Sequence, residues 1–183
     1  MKNRRTTVIV LGLVFIGVAI WSLTTPPGTS APATPAGTPI LPFYRVFPDL
    51  AVLDIAAVQL RSPETQAVLA VRVDSDGVWQ AIAPQGVPDP AQMTALARTL
   101  VLLPYTTTLV SDSALTVYGF IPEGILSIEL LLTDGSTAAI AVGYRTPSEQ
   151  GYYAVVDDRA ELYILDRAPV DYLISLLRNP PIA

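Results

Sequence analysis

Apolar and polar positions follow three different rhythms along this chain. From Val8 to Leu23 the residues are uninterruptedly apolar or small and carry no charge, and threonines at 6, 7, 24 and 25 extend the stretch to residues 6–25. About 20 such residues suffice to cross a hydrocarbon core of ~30 Å as a helix, and a helix is the conformation that satisfies its own backbone in lipid. A second stretch, 26–42, has no periodicity. Pro26, Pro27, Pro32, Pro35, Pro39 and Pro42 sit among Gly, Ser, Thr and Ala, which predicts an extended tether of ~3 Å per residue, ~50 Å if fully stretched.

From residue 43 the rhythm becomes that of a folded domain. Ile55 to Arg61, Ala67 to Val73 and Val78 to Ile82 read as strands. The last two are joined across Asp74-Ser75-Asp76-Gly77, residue types that tolerate a tight turn. Asp89 and Pro90 announce a helix as N-cap and first helical residue. Its apolar face is Met93, Leu96, Ala97, Leu100 and Val101, and Pro104 ends it. Strands follow again: Leu126 to Thr133 and Thr137 to Val142 about Asp134-Gly135, then Tyr152 to Val156 and Glu161 to Leu165 about Asp157-Asp158. Pro169 opens a final helix with Val170, Leu173, Ile174 and Leu177 on its apolar face. The expected class is α+β: an antiparallel sheet with helices packed on one face, laid out as two strand–strand–helix halves.

Charge adds orientation. Of the 11 basic residues, Lys2, Arg4 and Arg5 precede the apolar run, and all 16 acidic residues follow it. The positive-inside rule places the N-terminal tail (1–5) in the cytoplasm and the domain (43–183) outside, with Trp21 as the interfacial aromatic on the far side. The expectation is a single-pass membrane protein with its N-terminus in the cytoplasm. A cleaved signal peptide ending near Ala31 or Ala33 is the competing reading. It is disfavoured by the length of the apolar run and the prolines at the cleavage site. Gly12 and Gly17 lack the spacing of a helix-dimerisation motif.

Composition narrows the chemistry. The chain has no cysteine and no histidine, so thiolate metal sites, iron–sulfur clusters and the usual general base near neutral pH are all excluded. The arginines beyond residue 40 are scattered, which argues against nucleic acid as a partner. Asp74 to Gly77 resembles the start of a calcium loop but continues into a strand instead of further oxygen ligands. Asp157, Asp158 and Glu161 are the densest carboxylates, at a turn where solvated acids are ordinary. No phosphate loop or nucleophile elbow is present. The reading is therefore of a protein without catalytic, metal or cofactor residues. The eight tyrosines are the remaining functional signal, since tyrosine is enriched at interfaces. Tyr144, Tyr152 and Tyr153, around the polar loop from Gly143 to Gly151, are the expected partner surface.

Several short motifs occur in a recognisable order: Val46-Phe47-Pro48-Asp49-Leu50, Gly77-Val78-Trp79, Tyr118-Gly119-Phe120-Ile121-Pro122, Asp134-Gly135, Val142-Gly143 and Tyr152-Tyr153. In these the chain resembles a domain-of-unknown-function family of membrane-anchored bacterial proteins. Its members are often encoded beside auxiliary components of gliding-motility-type ABC transporters. The resemblance spans roughly residues 46 to 178. The family pattern Tyr-Gly-Leu-Asp-x-Pro loses its acidic residue here, and it carries no catalytic residues. The resemblance implies the fold and an anchor in the bacterial cytoplasmic membrane, implies no reaction, and suggests an ABC-type export assembly. The expectation drawn from the whole chain is an anchored, non-enzymatic accessory subunit of an integral membrane complex, either that assembly or an energy-transducing electron-transfer complex. An envelope module binding glycan or peptide is the alternative.

Overall fold

The computed structural model of the protein describes residues 44–110, 115–120, 124–157 and 159–183. The expected tail, membrane helix and tether, with Lys2, Arg4, Arg5 and Trp21, lie outside the described residues, as does Asp158. The strands are β1 (Tyr44–Arg45), β2 (Ile55–Arg61), β3 (Val68–Val73), β4 (Trp79–Ala83), β5 (Pro104–Leu109), β6 (Leu126–Leu132), β7 (Thr137–Arg145), β8 (Gly151–Val156) and β9 (Leu162–Asp166). Two helices follow β4 and β9: α1 (Pro90–Val101) and α2 (Arg167–Arg178). Short 3-10 turns occupy Val52–Asp54 and Leu115–Tyr118.

All the strands join one antiparallel sheet in the order β1-β5-β9-β8-β7-β6-β2-β3-β4. The molecule is thus of the α+β class. Alternation explains the sheet: Val58 and Leu60 of β2 are buried while Gln59 between them is exposed. Register carries this across strands. Leu60 stands opposite Leu69 of β3 and Ile128 of β6, and Val58 opposite Val71 and Leu130. Opposed positions share a face, so these pairs form continuous buried rows. Both helices deliver their buried residues into the same core cluster.

The turns behave as their residue types demand. The Asp74 carboxylate accepts the backbone N–H of Asp76 and of Val78, each at 2.9 Å, and Gly77 adopts φ 78°. Asp134 accepts from both the backbone N–H and the hydroxyl of Ser136. Asp89 caps α1 by accepting from Ala91 N–H at 2.8 Å.

The structure differs from expectation at four places. Strand β5 was not anticipated. Pro104-Tyr105-Thr106-Thr107-Thr108-Leu109 lacks a buried alternation because it lies near the sheet edge and leaves most of its side chains exposed. It and β1 lie outside the plan of two halves. Helix α2 begins at Arg167, two residues before Pro169. Proline is tolerated there because N–H groups in the first turn have no intrahelical acceptor. On its apolar face Leu176 is buried, whereas Ile174 is only partly covered. Finally, β7 runs on through Arg145, so the loop before β8 shortens to residues 146–150, held by Thr146 N–H donating to the Gly151 carbonyl at 2.9 Å.

Candidate functional site

The three tyrosines expected to form one surface are distributed over two faces. Neighbours on a strand point to opposite sides of the sheet, so Tyr152 and Tyr153 part company. Tyr152 joins the core at 2% exposure. Tyr153 packs edge-to-face on Tyr118, with ring centres 4.8 Å apart. Tyr144 is 55% exposed. Tyr144 and Tyr152 nonetheless line one groove of about 570 Å³ between the β2–β3 turn, β7 and α2.

The groove has an apolar floor and a polar rim. Ala67, Ile125, Ile174 and Leu177 supply the floor, and Ser62, Glu64 and Thr65 one edge. That edge is held in place by its own hydrogen bonds. Ser62 N–H donates to the Ala67 carbonyl at 2.9 Å, and the Gln66 side-chain amide donates to the Pro63 carbonyl at 2.5 Å. Two arginines, Arg145 and Arg178, also line the groove.

Arg145 is positioned by a four-residue cluster centred on Asp171. Its Nε donates to the Tyr152 hydroxyl oxygen at 2.7 Å, and the Tyr152 O–H donates to Asp171 Oδ1 at 2.6 Å. Arg145 Nη2 also reaches Oδ1, at 3.1 Å, and Arg167 Nε donates to Oδ2 at 2.9 Å. The guanidinium carbon of Arg145 lies 5.3 Å from the Tyr152 ring centre. Charge-assisted bonds of this kind are shorter and stronger than neutral ones. They raise the Arg145 pKa, chiefly through Tyr152. Burial, aided by the bond to Asp171, pushes the Tyr152 hydroxyl up. For Asp171 desolvation acts upward, but the bonds from Tyr152, Arg167 and Arg145 together outweigh it and lower the carboxyl pKa.

A pH dependence follows. A carboxyl whose folded pKa is depressed contributes stability above its unfolded pKa near 4, and loses it as the pH falls through the folded value. Asp74 and Asp134 act in the same direction, held down by Val78 N–H and by the Ser136 hydroxyl respectively. Asp166, raised by burial, acts in the opposite one. The expected outcome is a melting temperature that falls below about pH 4, with a shallower fall in Asp171→Asn. Identical profiles for the two proteins would show that the cluster does not couple to folding.

Two of the carboxylates noted in the sequence, Asp74 and Asp157, have structural employment. Asp74 also accepts from Gln80 Nε2, at 2.9 Å. Asp157, at φ 46°, exchanges hydrogen bonds with Ala139: its N–H donates to the Ala139 carbonyl and its carboxylate accepts the Ala139 N–H. Among the described residues no three metal-ligating side chains converge, and no helix is long and apolar enough to cross a membrane.

A second aromatic group lies at the β1–β5 edge. Tyr44 stacks on Tyr105 at 5.5 Å, and Tyr105 meets Tyr163 edge-on at 5.1 Å. Arg159 lies over Phe47 and Tyr163 and donates to the Val46 carbonyl.

Sequence reasoning did not single out Arg145, Asp171 or Arg178. Each sits at an ordinary polar position of a strand or helix, and only the packing of α2 against β8 gathers the cluster. No protein-family model, no curated protein and no solved structure matches this chain.

Proposed function

We propose that this protein is a non-enzymatic accessory subunit of a bacterial membrane complex, held by residues 6–25 and reaching out through the tether of residues 26–42. The bulk of the chain lies outside the cytoplasm and makes protein contacts there. The two strand–strand–helix halves and the resemblance to anchored, transporter-associated proteins belong to the same reading. What carries it is an asymmetry in one chain. An uncharged apolar run of membrane-spanning length stands behind Lys2, Arg4 and Arg5, and every acidic residue lies in the domain beyond it.

The surface of the domain supports contacts. Large apolar side chains flank residues 111–114: Leu109 and Val110 before them, Leu115 and Val117 after, with Val110 89% exposed. Scattered apolar residues are normal on a surface, but several in one short stretch fit a surface that a partner covers. The groove beside Tyr144 favours a second reading, an envelope module that binds peptide or glycan, since such sites combine an apolar floor with a few placed polar groups.

Extraction of the full chain in a mild detergent, followed by native mass spectrometry, tests the first reading. The expected result is co-migration with integral membrane proteins in a fixed ratio. A protein that leaves the membrane alone under these conditions is not a subunit.

A further inference from the structure

We propose that the groove between the β2–β3 turn, β7 and α2 is a peptide-docking site that takes a C-terminal residue by its apolar side chain and its free carboxylate. The inference deepens the reading of the domain as a protein-contacting module and rests on it.

Three observations converge. The first is the floor: Ala67, Ile125 and Ile174 are partly buried around the covered Leu177 and leave apolar area in a concavity of about 570 Å³. That holds one or two side chains and is too small for a folded domain. The second is charge. The residues beyond the apolar run are strongly acidic overall, yet this concavity is lined by two arginines and one carboxylate, Glu64. The Arg178 guanidinium makes no ion pair or hydrogen bond among the described residues. Arg145 has Nε and Nη2 engaged by Tyr152 and Asp171, which leaves Nη1 for a ligand. A planar guanidinium recognises a carboxylate through paired N–H donors.

The third observation is preorganisation. Arg145 is fixed by the Asp171 cluster, and the facing turn is closed by its own hydrogen bonds. Arg145 and the β2–β3 turn therefore lose little ordering entropy on binding, and the ligand has only the exposed Arg178 and Tyr144 side chains to order. The exposed ring of Tyr144 at the mouth offers flat apolar area with a polar tip, the type of side chain that anchors peptides.

The carboxylate is that of a free C-terminus, where it belongs to the same residue as the apolar side chain and both fit one small concavity; an acidic side chain within a segment is the alternative that the probes separate. Acetyl-Ala-Phe-Leu as the free acid, the same peptide as its amide, and acetyl-Phe-Leu-Glu as its amide are titrated into the full chain in detergent. Binding is followed by amide chemical shifts and calorimetry. The expected result is saturable shifts at Ile125, Tyr144 and Ile174 with acetyl-Ala-Phe-Leu as the free acid. Affinity should be about tenfold weaker for the uncharged amide, and about tenfold weaker for R178Q with the acid. R178K should fall between, because it keeps the charge and loses the fork. Equal binding of acid and amide, tighter binding of acetyl-Phe-Leu-Glu amide than of the free acid, shifts elsewhere on the domain, or no shifts with any of the three overturns the proposal. If R178Q still co-purifies with membrane partners while the peptides do not bind, the groove fails and the subunit reading stands. If the peptides bind but the wild type leaves the membrane alone, the reverse holds.

Discussion

Leu173→Ala is expected to lower the unfolding free energy by about 3 to 5 kcal/mol. Leu173 is completely buried on the face of α2, and that helix contacts β2 and β3 on one side and β8 and β9 on the other. The side chain is therefore enclosed by elements tied into one sheet, which relax poorly around a void. Removing it loses both transfer free energy and the contacts its neighbours made. Against a typical total of 5–15 kcal/mol this is a large fraction. Guanidinium denaturation followed by circular dichroism measures it, with Ile174→Ala as the internal comparison. Ile174 lies one residue along, on the groove, and is only partly covered; its truncation is expected to cost about 1 kcal/mol, in proportion to the area it buries. Equal losses at the two positions would mean that α2 does not dock by the face described.

Gly143→Ala is expected to destabilise by about 1 to 3 kcal/mol for the opposite reason, an atom too many. A Cβ at this position of β7 would collide with the Tyr118 carbonyl oxygen and stand 3.2 Å from the buried Phe120 ring. A backbone carbonyl is not a flexible side-chain end. The Leu115–Tyr118 turn would have to lift, taking with it the contact between Tyr118 and Tyr153. Hydrogen exchange should therefore rise at Gly119 and Phe120, whose N–H groups donate to the Thr116 and Leu115 carbonyls. Gly135→Ala separates this from a backbone effect. Gly135 has φ 87° and open space around its Cβ position, so its substitution costs conformational strain alone, about 1 kcal/mol. It should leave exchange at residues 119 and 120 unchanged.

Much of the fold was legible because local chemistry and tertiary role coincide. Asp89 followed by Pro90 announces a helix start in any context, and Asp74 with Gly77 a turn. Leu126, Ile128 and Leu130 alternate with Ser127 and Glu129, so β6 declares its buried face. Strand β5 was hidden because Thr106, Thr107 and Thr108 are solvent-facing and give no alternation to read. Its partners β9 and β1 both lie more than fifty residues away in the chain, and only those pairings make it a strand. The start of α2 was misread because Pro169 is a strong helix-start signal at more than one position of the first turn.

The candidate site was legible only in part. Tyr144 and Tyr152 both line the groove, but adding Tyr153 to them ignored that adjacent strand residues face opposite ways. Asp171, Arg145, Arg167 and Arg178 gave no signal, since an aspartate and three arginines at polar positions look like ordinary solvated charges.

The residues alone determined the three-part layout: an apolar run behind basic residues, a proline-rich stretch, and an α+β pattern without cysteine or histidine chemistry. These are properties of composition and short-range periodicity, and they are present before the chain folds. Only the tertiary structure decided the order of the strands, the division of the tyrosines between two faces, and the groove lined by an arginine held by Asp171 and by a second arginine. Those depend on contacts between residues far apart in sequence, whose free energy exists only when the sheet and α2 come together.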